Sequence, residues 1–109
     1  MRALEIYRNG ILAGNLIEEN QRQFVFRYDD SYFTDETKAP ISLTLPKTQK
    51  EHRSEVLFPF FYNMLSEGAN RKLQSTMWRI DENDSFALLM ATAQYDTIGV
   101  VTVKTSKEL

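Results

Sequence analysis

Ala3-Leu4-Glu5-Ile6-Tyr7-Arg8-Asn9-Gly10-Ile11-Leu12-Ala13-Gly14-Asn15-Leu16-Ile17 sets two alternating stretches about an Asn-Gly pair. Leu4 and Ile6 fall on one face of the first stretch. Asparagine and glycine both tolerate positive φ, so Asn9-Gly10 signals a two-residue hairpin turn. The spacing predicts a strand over Ala3–Arg8 and a return strand over Ile11–Ile17. Gly14 then marks a bulge or the close approach of another backbone. A polar turn over Glu18–Arg22 leads to Phe24, Phe26 and Tyr28, which share one face at period two. The three stretches read as an antiparallel meander.

Outward from the meander, Asp29–Lys38 is polar and turn-like, with Tyr32 and Phe33 expected to dock it onto the core. Pro40-Ile41-Ser42-Leu43-Thr44-Leu45-Pro46 alternates between two prolines. Proline gives no ladder donor, so this segment is expected as a short edge strand or an extended stretch. Lys47–Ser54, with four charged residues and His52, reads as a mobile, solvated loop.

The second half carries helical spacing. Phe60, Phe61, Met64 and Leu65 form one stripe, with Pro59 at the first helical position and Gly68 as its stop or hinge. Ala69, Leu73, Met77 and Ile80 form a second. Asp84 is placed to cap a third helix, whose stripe is Phe86, Leu89, Met90 and Ala93. Thr97–Val103 is too β-branched for anything but a strand, and its two apolar faces predict a place inside the sheet. The expected fold is α+β: a small antiparallel or mixed sheet, made of the N-terminal meander plus a C-terminal strand, packed against about three short helices. One domain spans 1–109, its core about 3–104 and its polar tail 105–109. A Met1 start and a polar Lys104–Leu109 end lead us to expect a whole small protein rather than a piece of a longer one.

Composition narrows the function. The 109 residues are 42% hydrophobic and 26% charged, an ordinary globular balance. Seven phenylalanines, five tyrosines and a tryptophan argue against disorder over most of the chain. With no cysteine and one histidine, thiolate and multi-histidine metal sites are excluded. Thirteen basic and fifteen acidic residues leave a net charge of −2, which gives no general attraction for nucleic acid or anionic membrane. The charged start has no signal-peptide character and no apolar run is long enough to span a bilayer, so a cytoplasmic protein is expected.

Catalytic chemistry is equally thin. A nucleophile needs a positioned base, and His52, between Glu51 and Arg53, reads as a solvated surface histidine. Asp29-Asp30, Asp35-Glu36 and Asp81-Glu82-Asn83-Asp84 offer carboxylates for acid–base work. All three sit in predicted turns, where acidic residues serve chain reversal and capping. A calcium loop fails because Phe86 stands where the turn glycine belongs and Thr92 where the bidentate glutamate belongs. Arg71, Lys72 and Arg79 lie off the apolar stripe and read as a solvated outer face. No catalytic residue, cofactor or metal ligand is assigned.

Two features remain for partner binding. Ser66-Glu67-Gly68-Ala69-Asn70 joins two predicted helices, either as a plain turn or as a tip entering a partner's cleft. Trp78 sits about 100° around the helix from Met77. It either caps the core or anchors a partner.

Several segments together resemble the N-terminal subdomain of HipA-type serine/threonine kinases of bacterial toxin–antitoxin systems. The hairpin at Asn9-Gly10, Gly14 in its return strand and the aromatic strand at Phe24–Tyr28 are similar to that family's opening. Pro40–Pro46 resembles its P-[IL]-S-L-S-L-P segment almost letter for letter. Phe60–Gly68 resembles FFDNLLPEG, Asp84–Leu89 resembles DDFGLL, and Asp96–Val101 resembles DCxGAV. The resemblance runs in order from about Leu4 to Lys104. Departures are Ser66 for the usual proline, Ala69 where many members have tryptophan, and Ala93-Gln94 for a small glycine-rich pair.

In the full kinases this subdomain precedes a longer core carrying the ATP-binding lysine, catalytic aspartate and metal-binding residues, none of which has a counterpart here. The resemblance therefore implies a split, three-component HipBST-like system. In such systems the small protein is a non-catalytic antitoxin or regulator that binds a separately encoded HipA-like kinase and blocks it. The alternative is a structural subunit that completes the kinase fold and repressor complex without inhibiting. Implied partners are the kinase core and, through it, a helix-turn-helix HipB-like repressor, with no direct nucleic acid and no membrane. Ser66, Glu67, Gly68, Ala69, Asn70 and Trp78 are the expected partner-binding residues.

Overall fold

The computed structural model describes residues 2–20, 22–63, 76, 79–81, 84–92 and 100–105. Among them lie five strands, β1 (Arg2–Arg8), β2 (Ile11–Asn20), β3 (Gln23–Tyr28), β4 (Glu51–Ser54) and β5 (Val101–Thr105). Three helices accompany them: α1 (Asp30–Thr34), α2 (Pro59–Tyr62) and α3 (Ser85–Thr92). The sheet order is β4-β3-β2-β1-β5, and every pairing is antiparallel. The α+β expectation holds.

The β1–β2 turn forms as its chemistry requires. Asn9 and Gly10 have φ of 53° and 77°, the left-handed pair that a tight hairpin needs. Beyond it, Ile6 faces Gly14 and Tyr7 faces Leu12, leaving Ala13 as the extra residue of a bulge. A Cβ on Gly14 would lie 2.3 Å from the Arg27 carbonyl oxygen and 2.9 Å from Phe26 Cζ, so the close approach anticipated there is real.

One face of the sheet builds the core. Leu4, Ile6, Leu16, Phe24, Phe26, Tyr28 and Val103 are buried there. Phe61 of α2 and Phe86, Leu88 and Leu89 of α3 close over them. Both helix starts follow local rules. Pro59 occupies the first turn of α2 after Phe58. Asp84 precedes α3 and accepts the Ala87 N–H on its carboxylate at 3.1 Å. Asp29 caps α1 in the same way, accepting the Ser31 N–H at 3.2 Å.

Three expectations are corrected. Glu51–Ser54 is not a solvated loop but the edge strand β4, paired with β3 from Phe24↔Ser54 to Arg27↔Glu51. An edge strand tolerates polar residues on both faces, so hydropathy carries no signal for it. Among the described residues β5 lies at the opposite edge, beside β1, rather than inside the sheet. Val103 is buried while Thr102 and Lys104 alternate away from it, the one-sided burial of an edge strand. Thr97–Gly99 lie outside the described residues. Finally, Pro40–Pro46 is neither strand nor extended: the Leu45 N–H donates to the Ser42 carbonyl at 3.1 Å, closing a turn.

Candidate functional site

The expected tip, Ser66, Glu67, Gly68, Ala69 and Asn70, and the expected anchor Trp78 lie outside the described residues. Two surfaces stand out among the described residues.

The first is an open groove of about 510 Å³ at one end of the core face. Arg2 and Glu18, paired across β1 and β2, lie in it. Arg2 Nη2 meets Glu18 at 2.6 Å, and its fork takes both carboxylate oxygens of Asp84, at 2.9 and 3.2 Å. The guanidinium carbon stands 5.1 Å from the centre of the Phe86 ring. Partial burial raises the Asp84 carboxyl, but the Arg2 hydrogen bonds, the Ala87 N–H and the Arg2 charge outweigh it. The net effect holds Asp84 below the usual carboxylate range. Burial alone would lower the Arg2 guanidinium; hydrogen bonds to Asp84 and Glu18 and their charges raise it instead. Val56, 65% exposed, and Tyr62, 40% exposed, bring apolar surface to the groove.

The acidic groups of this arrangement are already paired. Glu18 and Asp84 both accept hydrogen bonds from Arg2. The other acidic turns are occupied too. Asp30 pairs with Lys50, and Asp35 accepts the Thr37 N–H and hydroxyl at 2.9 and 2.6 Å, which lowers its carboxyl. Among the described residues no cluster of three or more His, Cys, Asp or Glu could hold a metal. No helix among them is long and apolar enough to cross a membrane.

The second surface is the Pro40–Pro46 segment. Side chains fasten it along its length. Tyr28, buried in β3, donates its hydroxyl to the Leu45 carbonyl and accepts the Ile41 N–H at 3.2 Å. Burial raises the phenol, which keeps it a donor, although the Ile41 N–H opposes the shift. Tyr32, stacked 5.9 Å from Tyr28, donates to the Ala39 carbonyl at 2.5 Å. The His52 ring N–H at Nε2 donates to the Pro46 carbonyl at 2.9 Å. His52 is thus a half-buried structural group of β4 and not a freely solvated one. Lys47 holds the preceding turn through the carbonyls of Asp35 and Lys38, at 2.7 and 2.8 Å.

Ile41 and Leu45 point inward, while Leu43, at the corner of the turn, is 95% exposed. Sequence reasoning passed over Leu43 because strand alternation groups it with Ile41 and Leu45. The pair of prolines bounding an Ile-Ser-Leu-Thr-Leu run was the available signal for a bend.

The sheet's other face carries a line of charge. Arg27 meets Glu51 at 2.5 Å, Arg53 meets Glu51 at 3.1 Å, and Arg53 meets Glu19 at 2.9 Å. The Arg27 hydrogen bond, ahead of the opposing desolvation, holds the Glu51 carboxyl low. These pairs are partly exposed and satisfied, while Val25, on the same face of β3 as Arg27, is buried.

Comparison with known proteins gives these surfaces a context. A family model described as the HipA N-terminal domain matches residues 4–104. An uncharacterized protein of Haemophilus influenzae is 30% identical over 108 residues, covering 99% of this chain and 96% of that protein. The Sinorhizobium fredii protein Y4mE, whose name marks it provisionally as a kinase, is 26% identical over 89 residues. That match covers 82% of this chain but only 21% of Y4mE, so the chain spans about a fifth of that relative's length. A solved structure titled as the N-terminal domain of HipA toxin superposes with a TM-score of 0.73 at 27% identity, over 100% of this chain and 96% of that one. Sequence, extent and fold agree, and the chain belongs to the HipA N-terminal domain family.

Proposed function

We propose that this protein is a non-catalytic antitoxin or regulatory module that binds a separately encoded HipA-like serine/threonine kinase and inhibits it. The observation that carries the reading is the contrast between two relatives. The Haemophilus influenzae protein consists of this domain almost alone, whereas in Y4mE the domain is a fifth of a longer, kinase-named chain. The same domain thus occurs both joined to a further body and without one. A domain supplied separately can dock where its fused counterpart sits and alter the kinase from there.

In this reading the whole chain acts as one unit, with its core over about 3–104, in the bacterial cytoplasm. The kinase core is its direct partner, and a helix-turn-helix repressor joins through the kinase. The module brings no cofactor and performs no chemistry of its own.

The test is co-expression with the kinase core encoded beside it, followed by pull-down and an autophosphorylation assay. An inhibitor is retained with the kinase, suppresses its autophosphorylation and restores growth when the kinase is induced. Retention without suppression would reassign the protein as a structural subunit, and no retention at all would end the proposal.

A further inference from the structure

We propose that the Ser42–Leu45 turn is a preorganised docking knob, and that Leu43 inserts from it into an apolar pocket of the kinase chain. The inference deepens the proposed function and rests on it.

The local sequence would bury Leu43 if the segment were extended, because Ile41, Leu43 and Leu45 then share a face. The structure bends the chain instead, burying its two flanking apolar residues and sending the third into solvent at 95% exposure. Ser42 Oγ accepts the Thr44 N–H at 3.2 Å and lies 2.9 Å from the Thr44 hydroxyl, which tightens the bend.

A single exposed leucine is ordinary on a protein surface. The setting of this one is not. Tyr28 and Tyr32, anchored in the core, and His52 of β4 hold the backbone on both sides of the bend. Those restraints fix the loop before any partner arrives, so little conformational entropy is lost when Leu43 docks. The occupant is argued from the relatives. In Y4mE about four-fifths of the protein lies outside the match, so there the domain is covalently attached to the body it would pack against. The chemistry required of that body is a leucine-sized apolar pocket whose rim offers hydrogen-bonding groups to the Ser42 and Thr44 hydroxyls.

The experiment measures affinity of the full chain for the purified kinase core by calorimetry, with wild type, Leu43→Met and Leu43→Glu. Thermal unfolding of each variant is recorded alongside, and the exposure of Leu43 predicts unchanged midpoints. Leu43→Met should bind like wild type, and Leu43→Glu should bind roughly ten- to hundredfold more weakly. Wild-type affinity in Leu43→Glu would overturn the knob while leaving the proposed function standing. Failure of the wild type to bind would remove both. Sedimentation supplies the last arm: if Leu43→Glu keeps its affinity for the kinase but dissolves a dimer of this chain, the knob belongs to a self-interface and the inference is wrong.

Discussion

Arg2 and Asp84, 82 residues apart, close a two-pronged ion pair that ties the first strand to the start of the last described helix. Asp84 also caps that helix through Ala87. One carboxylate therefore holds both a tertiary contact and a local one, and the two can be separated by substitution. Asp84→Ala removes cap and pair together and should cost about 1–2 kcal/mol, most of it from the cap, since the pair is partly solvent-screened. Asp84→Asn keeps a capping oxygen and should cost less. The carboxyl is held below its unfolded value of about 3.9. Its contribution is thus fully present above about pH 4 and is lost as pH falls through the lower folded value. Urea melts should show the gap between wild type and Asp84→Asn closing as pH drops below about 4. A gap that stays constant down to pH 2 would show that the charge contributes nothing.

Gly14 is the second test, because its role is steric. A methyl group there meets the Arg27 carbonyl oxygen at 2.3 Å, and that oxygen belongs to the backbone of the paired strand. The strand cannot move aside without disturbing Phe26 and Tyr28, both in the core. Gly14→Ala should destabilise by about 1–3 kcal/mol or prevent folding. Gly10→Ala is the useful contrast. No atom lies within 4 Å of a Cβ there, so only the strain of its φ of 77° is felt. Thermal unfolding of the two variants should rank Gly14→Ala as the more damaging.

These two residues also mark what the sequence makes legible. The Asn9-Gly10 turn, Pro59 at the start of α2 and the Asp84 cap each act through chemistry confined to a few neighbouring residues, so their effects can be read directly. Gly14 is legible because a glycine within a strand pattern itself signals a close approach. β4 is different. Glu51-His52-Arg53-Ser54 has no hydrophobic period, and its place comes from β3 and from the Arg27–Glu51 pair, 24 residues apart. Leu43 is misread for a related reason: the bend that exposes it is fixed by Tyr28, a side chain 17 residues from the Leu45 carbonyl it holds. Of the residues expected to bind a partner, Ser66–Asn70 and Trp78 lie outside the described chain. The tip and the tryptophan are what the sequence offers as a site, and the described residues do not reach them. The groove around Arg2 and the knob at Leu43 depend on contacts between distant segments.

Tyr28→Phe tests whether the loop is held as argued. The substitution keeps the ring, with its edge contact to Phe26 at 4.8 Å, and removes only the hydroxyl. The Ile41 N–H and the Leu45 carbonyl would then each lose a partner in a buried setting. The expected cost is about 1–3 kcal/mol. Hydrogen exchange should place the damage: the Ile41 and Leu45 amides should exchange faster while β1 and β2 keep their protection. Uniform acceleration across the sheet would mean the hydroxyl supports the whole core rather than the loop.

The tip is the remaining proposed contact, and its test must not confuse binding with folding. α2 ends with the Asn63 N–H on the Pro59 carbonyl at 2.9 Å, just before the Ser66–Asn70 segment in the chain. Tyr62 and Asp81 both line the acidic groove around Arg2. Replacing Glu67 and Asn70 together with alanine should weaken growth rescue of a kinase-expressing strain and leave the unfolding midpoint unchanged. Adding Leu43→Glu then asks whether tip and knob meet the kinase independently. Separate contacts give losses in affinity that multiply, while a shared or coupled contact gives a smaller combined loss. Full rescue by the Glu67→Ala/Asn70→Ala protein would remove these two side chains from the interface and leave the knob and the groove to account for binding.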